Sequence, residues 1–411
     1  MSDLIPFKLF EAADSAQNLH MTHADEDIFE RGDQGANAAV EFITDVAKTL
    51  GKGSTKLTVK WDGAPAIFAG HDPADGRFFV GTKSVFNKNP KLYKTIADID
   101  AGESGGKAEK LKVSLEELPK VGIPKGLVLQ GDLLWTQGDL KYETIDGVRY
   151  VTAHPNTLVY AWPSESDVGK RIVLARLGIV WHTTYSGRRD LSSYRSSFGV
   201  DVKTLKQTRS VWQEDAYFKG ADIAFSDEEY SEVYQLTMGA KALIGDFDKL
   251  VEIMNTLPSQ AVGAGVKTYI NSLIRRGKLP EPDTAAKEYL DYVNKYWEDK
   301  VVAKVKTDAA KDSKRAALKQ FTTELRAQMN TLQRAFQYVD LITQAKMIVV
   351  KKLNALSKEQ IFVKTKDGYQ ATAPEGFVAI SGEKGEAVKF VDRLSFSHFN
   401  FSDTYIKGWQ K

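Results

Sequence analysis

A chain of 411 residues is too long for one ordinary hydrophobic core, so two or more lobes are expected. The composition, 42% hydrophobic and 27% charged, is that of a folded globular protein, and a net charge of +2 excludes a global basic field, so any nucleic-acid surface must be local. The lack of cysteine excludes a disulfide framework, a thiol nucleophile and cysteine-based metal sites. With no signal-peptide pattern and no long apolar stretch, a cytoplasmic protein without membrane contact is expected.

The first predicted helix covers residues 37–50. Its apolar residues recur on one helical face, and Gly51 and Gly53 end it. Residues 1–36 are polar and irregular, with an acidic run at 25–27 close to His23. No metal-ligand spacing is satisfied there, which favours a solvent-exposed loop or helix start.

A half-buried strand is predicted at residues 57–62, where apolar and polar side chains alternate. Its polar face presents Lys60 and Asp62, and Gly63 then turns the chain. A lysine held near other cations or a metal ion can lose its proton near neutral pH and act as a covalent nucleophile. The alternative is a surface strand with ordinary polar residues outward.

Three further strands are predicted at residues 66–70, 77–83 and 126–135. The second ends in Gly-Thr-Lys-Ser at 81–84, which suits a phosphate or ribose but lacks the complete P-loop pattern. The third contains Asp132, whose carboxylate is costly to bury unless it is paired, hydrogen-bonded or near a cation. Asp132 is therefore a candidate functional residue, with a paired structural aspartate as the alternative.

The rest of the first half reads as sheet with short helices. A hairpin at 141–152 turns at Asp146-Gly147, and strands follow at 157–162 and 179–185, the last carrying Trp181 and His182. From a capping box at 226–229 to about residue 353 the pattern is helical almost throughout. Strands return at 361–372, 374–380 and 387–391. This order predicts one sheet-based lobe, residues 1–225 and 354–411, interrupted by a helical insertion at 226–353.

The helical region is locally basic. Its cations include Arg275, Arg276, Lys314 and Arg315, with acidic residues interspersed. Two interpretations remain open, a nucleic-acid surface and a solvated helical face.

Taken together, the motifs resemble the covalent nucleotidyltransferase superfamily of polynucleotide ligases and capping enzymes, most closely the phage-type ATP-dependent RNA ligases. Residues 154–160, His-Pro-Asn-Thr-Leu-Val-Tyr, are similar to a segment of phage RNA ligases. Six matching segments occur in the family's order, each on a predicted strand or its end: Lys-Trp-Asp-Gly at 60–63, Gly-Thr-Lys-Ser at 81–84, Gln-Gly-Asp-Leu at 130–133, Gly-Ile-Val-Trp-His at 178–182, Glu-Gly-Phe-Val at 375–378, and Lys389.

The resemblance implies an α+β fold, in which an antiparallel-sheet adenylation lobe like that of ATP-grasp-type ligases carries the helical insertion. It implies ATP and Mg²⁺ as cofactors and nucleic-acid ends as substrates, with Lys60 as the catalytic residue that forms lysine–AMP. The implied nucleotide-binding residues are Asp62, Gly63, Lys83, Asp132, Trp181 or His182, Glu375 and Lys389. Lys83 and Lys389 would contact phosphate and lower the pKa of Lys60, while Asp132 and Glu375 would hold Mg²⁺ or the ribose.

Two departures from the family pattern stand out. The family's last motif is commonly Lys-x-Lys, and the second lysine is missing near Lys389, with Arg393 as a candidate replacement. Roughly twenty residues follow Lys389, too few for a C-terminal substrate-binding domain, which makes the helical insertion the candidate for that role. Three functions remain open: an ATP-dependent polynucleotide ligase for RNA or single-stranded ends, a non-catalytic relative that binds nucleotide or nucleic acid, and a GTP-using guanylyltransferase.

Overall fold

The computed structural model describes residues 23–49, 55–218, 224–357, 360–381 and 387–409. The predictions for residues 1–22 and for Gly51 and Gly53 as helix stops lie outside the described residues. Within them the chain is an α+β protein with mainly antiparallel sheets. None of the described helices combines the length and the apolar character that crossing a lipid bilayer requires.

The helices are concentrated in the second half of the chain, and α5 begins at the predicted capping box, where Ser226 and Glu229 bond each other's backbone N–H groups. In chain order the helices are α1 Ile28–Thr49, α2 Ile96–Gly102, α3 Gly105–Glu117, α4 Asp167–Leu174, α5 Asp227–Leu243, α6 Phe247–Asn255, α7 Val266–Ile274, α8 Ala285–Trp297, α9 Asp308–Ala327, α10 Met329–Leu356 and α11 Arg393–Phe401.

The strands largely follow the predicted alternation, and the hairpin turn at Asp146 and Gly147 has φ of 49° and 80°, as a type I′ turn requires. In chain order they are β1 Thr55–Lys60, β2 Ala66–His71, β3 Phe78–Gly81, β4 Leu127–Thr136, β5 Lys141–Ile145, β6 Val148–Ala153, β7 Leu158–Pro163, β8 Leu177–Ser186, β9 Arg195–Phe198, β10 Val211–Asp215, β11 Ile361–Thr365, β12 Gly368–Thr372, β13 Gly376–Ser381, β14 Ala387–Phe390 and β15 Tyr405–Ile406.

In the described ranges these strands form three sheets. The first has the order β10-β8-β4-β2-β3, with β9 also paired to β8, and only its β8–β10 pair is parallel. The second is the three-stranded sheet β1-β13-β14, and the third has the order β12-β11-β7-β6-β5 with β15 on β11. The second sheet therefore joins segments that are far apart in sequence, since β1 lies near the start of the chain and β13 near its end.

The helical region shares a hydrophobic core with the back of the three-stranded sheet. Leu57 and Val59 of β1 and Phe377 and Ala379 of β13 are buried in the same cluster as α1 and the helices from α5 to α10. The helices thus form a layer that packs on the apolar face of this sheet. The pattern of residues 283–353 predicts one extended helix or two packed ones, whereas the structure has α8, α9 and most of α10 in this range.

Helix α1 begins nine residues earlier than predicted and is kinked at Gly32 (φ 55°). A Cβ at Gly32 would lie 1.9 Å from a carboxylate oxygen of Asp248, so this close approach to α6 requires glycine. The apolar periodicity marks only the regular part of the helix beyond the kink.

The acidic run before α1 is buried, so the prediction of a solvent-exposed segment is wrong. Asp25 and Glu26 are 5% and 4% exposed. Lys346 of α10 donates to Asp25 at 2.7 Å, and Arg393 donates to Glu26 at 2.5 Å and to Asn271 at 2.7 Å. We call Asp25, Glu26, Lys346 and Arg393 the N-terminal ion cluster. It fastens the N-terminal segment to α10 and α11.

Candidate functional site

The register of β1 on β13 places Lys60 beside Glu375. Lys60 pairs with Gly376 across the two antiparallel strands, so the residue just before β13 lies next to the lysine. The ammonium group of Lys60 forms an ion pair with the Glu375 carboxylate. Two of the residues selected from separate motifs are therefore in direct contact.

The next strand of the same sheet contributes Lys389. Val378 of β13 pairs with Thr58 on one side and with Lys389 of β14 on the other. Alternation along β1 puts Lys60 on the same face as Thr58. The sheet thus presents two lysines and Val378 to the cavity, and it packs Phe377 and Ala379 against the helices on the other face.

The first sheet, which contains β4 and β8, faces these lysines with polar residues of those two strands. Asp132 Oδ2 lies 3.9 Å from His182 Nε2. Two residues before Asp132, Gln130 accepts a hydrogen bond from the hydroxyl of Tyr185 at 2.8 Å. Gln130 and Asp132 share a face because they are two residues apart on β4.

A cavity of about 240 Å³ lies between the first sheet and the three-stranded sheet β1-β13-β14. It is large enough for part of a small molecule and too small for a polymer. Its lining combines two lysines, one acid and several hydroxyl groups: Thr58, Val59, Lys60, Gln130, Asp132, His182, Thr183, Tyr185, Ser196, Ser197, Phe198, Val378 and Lys389.

A β-bulge decides which aromatic residue of β8 reaches the cavity. Gln130 pairs with Thr183 and the next residue, Gly131, with Trp181, so His182 is the extra residue. His182 and Thr183 therefore both line the cavity although they are neighbours in sequence. Trp181 lies in the core on the opposite side, where its indole donates to Gln213 at 3.0 Å. Stacking of a base on Trp181 is excluded by this placement.

Asp62 anchors the lysine motif rather than lining the cavity. Its carboxylate accepts hydrogen bonds from the Asn156 side chain at 2.6 Å and from the backbone N–H groups of Thr157 and Leu158 at 2.7 and 3.0 Å. Its own N–H donates to the hydroxyl of Tyr160 at 2.6 Å. Residues 154–160, noted for their resemblance to phage ligases, are therefore the partner that fixes the strand end after Lys60.

Gly63 has a steric role. A Cβ at this position would lie 2.6 Å from Cβ of Asp132 and 2.9 Å from the carbonyl oxygen of Leu133. Only glycine lets the chain after Lys60 pass this close to β4. The contact sets the spacing between the two sheets at the position of Asp132.

Two predicted phosphate contacts lie elsewhere. Lys83 is exposed at the start of a 3₁₀ turn, Lys83–Phe86, and does not line the cavity. Arg393, the candidate for the missing second lysine, is held in the N-terminal ion cluster by Glu26 and Asn271. Lys60 and Lys389 are the two cations that line the described cavity.

The basic residues predicted to bind nucleic acid in the helical region are mostly engaged within the protein. Arg315 makes two 3.1 Å bonds to the Glu298 carboxylate. The guanidinium of Arg275 lies 4.5 Å from the ring centre of Phe401, and Arg276 donates to the carbonyl of Ser272. Lys314 is half-buried on α9. These four residues are not brought to the cavity.

The charges around the cavity are incompletely compensated. Burial raises the pKa of Asp132 to about 7 and that of Glu375 to about 7, although Lys60 opposes both shifts. Burial also lowers the pKa of Lys389, with Lys60 adding to the effect. The pKa of His182 falls to about 4, again through burial and then Lys60, so its imidazole is neutral at pH 7.

The expected lowering of the Lys60 pKa does not occur in this arrangement. Burial, the largest single effect, would lower it, but the carboxylates of Glu375, Asp132 and Asp62 together outweigh burial and the pKa is raised. Lys83, one of the two cations expected to repel the proton, lies outside the cavity. The carboxylates therefore favour the ammonium form of Lys60.

The acids fit a divalent cation that arrives with its own oxygen ligands. Among the described residues no group of three or more His, Asp or Glu side chains is arranged to hold a metal ion. Mg²⁺ typically takes one or two carboxylates together with water and phosphate oxygens. Asp132 and Glu375 meet that requirement, and a cation would compensate the charges whose pKa values burial raises.

Several cavity residues were not selected from the sequence. Ser196, Ser197 and Phe198 belong to β9, a short polar strand with no apolar alternation to reveal it. Thr183 follows the bulge, which breaks the period of two. Gln130 could have been found, since alternation from Asp132 places it on the same face.

Comparison with known proteins gives a family without an assigned activity. No curated protein and no solved structure matches the chain. The model of a family of unknown function, DUF6267, matches residues 18–404 and so takes in the helical region and both sheets around the cavity. The chain belongs to this family, DUF6267.

Proposed function

We propose that the protein is an ATP-dependent nucleotidyltransferase of the polynucleotide-ligase type, with Lys60 as its nucleophile. The observation that carries the proposal is the convergence of Lys60, Glu375, Lys389 and Asp132 around one cavity. Each comes from a different strand or strand end, and each was selected from its own motif. Two cations beside two acids at one cavity suit attack on a phosphate.

In the first step the ammonium group of Lys60 gives up a proton to solvent, and its neutral Nζ attacks the α-phosphorus of ATP; a second proton leaves Nζ as the phosphoramidate forms. An N–P bond forms as the bond to pyrophosphate breaks, leaving a lysine–AMP phosphoramidate. Lys389 stabilises the negative charge on the phosphate, and Asp132 and Glu375 would hold Mg²⁺, which would supply positive charge to offset that of the triphosphate. The AMP then passes to a 5′-phosphate end, and a 3′-hydroxyl displaces it to join two strands.

Glu375 has a second part in this scheme, as the group that holds the proton on Lys60. Its ion pair keeps Nζ protonated, so the amine is not nucleophilic until the carboxylate is engaged elsewhere. Recruitment of Glu375 to a cation would release that hold. Activation of Lys60 is then coupled to nucleotide binding.

A non-catalytic nucleotide-binding protein is the second candidate. It is favoured by the raised pKa of Lys60 and by the burial of Arg393, which leaves Lys389 without a second late-strand cation. A GTP-using guanylyltransferase is the third. The same labelling experiment separates all three.

The test is incubation with α-labelled ATP or GTP and Mg²⁺. We expect an acid-labile protein adduct with ATP that Lys60→Ala abolishes. Lys56→Ala, four residues earlier on the same strand, is the matched control and should keep the adduct. Labelling by GTP alone would indicate a guanylyltransferase, and no labelling with either nucleotide would indicate the non-catalytic relative.

A further inference from the structure

We propose that the nucleic-acid strand that receives the AMP is bound by two basic segments at one end of the cavity, residues 82–91 and 187–195, which we call the basic rim. The identity of this partner rests on the proposed function. The location of the surface is a separate inference, since the sequence pointed instead to the helical region.

The two segments are placed beside the cavity by Tyr185. Tyr185 lines the cavity, and its ring centre lies 4.5 Å from that of Phe86, which ends the 3₁₀ turn Lys83–Phe86. Leu191 and Tyr194, from the connection between β8 and β9, are buried in the same cluster. The two segments therefore pack around one apolar cluster, and Tyr185 of that cluster lines the cavity.

The charge of the rim is concentrated. It holds six cations and one acid, a local net charge of +5 against +2 for the whole chain: Lys83, Lys88, Lys91, Arg188, Arg189 and Arg195, with Asp190. Asp190 caps its own turn by accepting from the N–H of Ser193 at 3.0 Å.

The arginines of the rim are available to a ligand. Arg188, Arg189 and Arg195 are exposed, and no described residue forms an ion pair with any of them. In the helical region, by contrast, Arg315 is bonded to Glu298 and Arg275 lies on Phe401. Binding of a new anion by these three arginines therefore does not require breaking an ion pair with another described residue.

A nucleic-acid strand fits this surface better than a membrane does. The guanidinium fork matches phosphate oxygens in pairs, and a strand offers phosphates at regular intervals. None of the large apolar side chains exposed in the described residues falls within either segment, so there is nothing to insert into lipid. The cavity of about 240 Å³ cannot hold a polymer, so the strand has to lie outside it, within reach of the lysine–AMP.

The test is the salt dependence of binding to a 5′-phosphorylated single-stranded RNA, followed by fluorescence anisotropy. Each phosphate contact on a single strand contributes roughly 0.7 to the slope of log K against log salt. Arg188→Gln/Arg189→Gln should reduce the slope by about 1.4 and weaken binding roughly 25-fold at about 0.1 M salt. Lys88→Gln/Lys91→Gln should have a similar effect from the other segment.

Arg275→Gln/Arg276→Gln is the matched control, an adjacent arginine pair with the same change in charge, and it should bind as the unmodified protein does. The inference is overturned if the control weakens binding and the rim variants do not. It is also overturned if the unmodified protein binds no RNA, or if it binds anionic phospholipid vesicles through the rim instead.

The adenylation assay on the same proteins keeps the two proposals apart. Rim variants should form the lysine–AMP adduct normally, because their changed residues do not line the cavity. Rim-dependent RNA binding without any adduct would reject the proposed function and keep the surface. Adduct formation with RNA binding that ignores the rim would reject the surface alone.

Discussion

The N-terminal ion cluster and the cavity lie next to each other, but their buried carboxylates differ in how far neighbouring cations offset the effect of burial on the pKa. His23 forms a β-bridge with Lys389 of the cavity, and two residues later Asp25 belongs to the ion cluster. In the cluster, burial alone would raise the pKa of Asp25, but Lys346 and Arg393 outweigh it and hold the pKa well below its usual range. Glu26 keeps a raised pKa because burial outweighs Arg393 there.

The cavity has the opposite balance. Asp132 and Glu375 share Lys60, and both keep a pKa of about 7 because one ammonium group does not offset their burial. Strongly shifted carboxylates next to a cavity are typical of sites that await a ligand, whereas matched buried pairs fasten elements together. From this comparison we expect that neutralising Asp25 in the cluster lowers the stability of the protein, whereas neutralising Asp132 at the cavity raises it.

The largest effect is expected from Asp25→Asn. This change leaves the ammonium group of Lys346, 1% exposed, without its partner, and should lower the free energy of unfolding by about 3–5 kcal/mol. Urea denaturation at neutral pH measures it. Adding Lys346→Met should recover much of the loss, and a single-variant loss below about 1 kcal/mol would show that the cluster does not fasten these segments.

Asp62→Asn should cost about 2 kcal/mol, because the carboxylate receives two backbone N–H groups and one amide that a neutral side chain cannot satisfy equally. The adduct yield should fall with it, since the strand end that carries Lys60 loses its anchor. Comparing thermal denaturation with labelling tests both. An unchanged melting temperature would contradict the anchoring role.

Asp132→Asn should act in the other direction and stabilise the protein by ~2 kcal/mol at pH 8. The folded pKa of about 7 lies above the ordinary value near 4, so ionisation of Asp132 costs stability fully above the folded pKa. The cost disappears as the pH falls toward the ordinary value. Stability of the unmodified protein should therefore rise between pH 8 and pH 5, and less so in the variant. A destabilised variant at pH 8 would break the contrast with Asp25.

Lys83→Ala is expected to have the smallest effect on adenylation. The side chain is exposed outside the cavity lining, so the rate of adduct formation should stay within experimental scatter of the unmodified protein. Single-turnover labelling measures that rate. A large loss would return Lys83 to the nucleotide site and weaken its assignment to the basic rim.

Local sequence pattern was enough to predict the strands that carry the site, but not which side chains of each strand face the cavity. Alternation around Lys60 predicted β1, and the Asp146-Gly147 pair predicted the turn between β5 and β6, because both signals are confined to a few residues. The burial of Asp25 could not be predicted, since its partner Lys346 lies 321 residues further along the chain. Nor could the orientation of His182, because one inserted residue reverses the alternation of a strand.

The most direct test of the account is the mass of the intact protein after incubation with ATP and Mg²⁺, followed by peptide mapping. We predict a gain of one AMP on the peptide that contains Lys60, absent from Lys60→Ala and present in Lys56→Ala. No gain with ATP, or an AMP carried by a different side chain such as Lys389, would contradict Lys60 as the nucleophile.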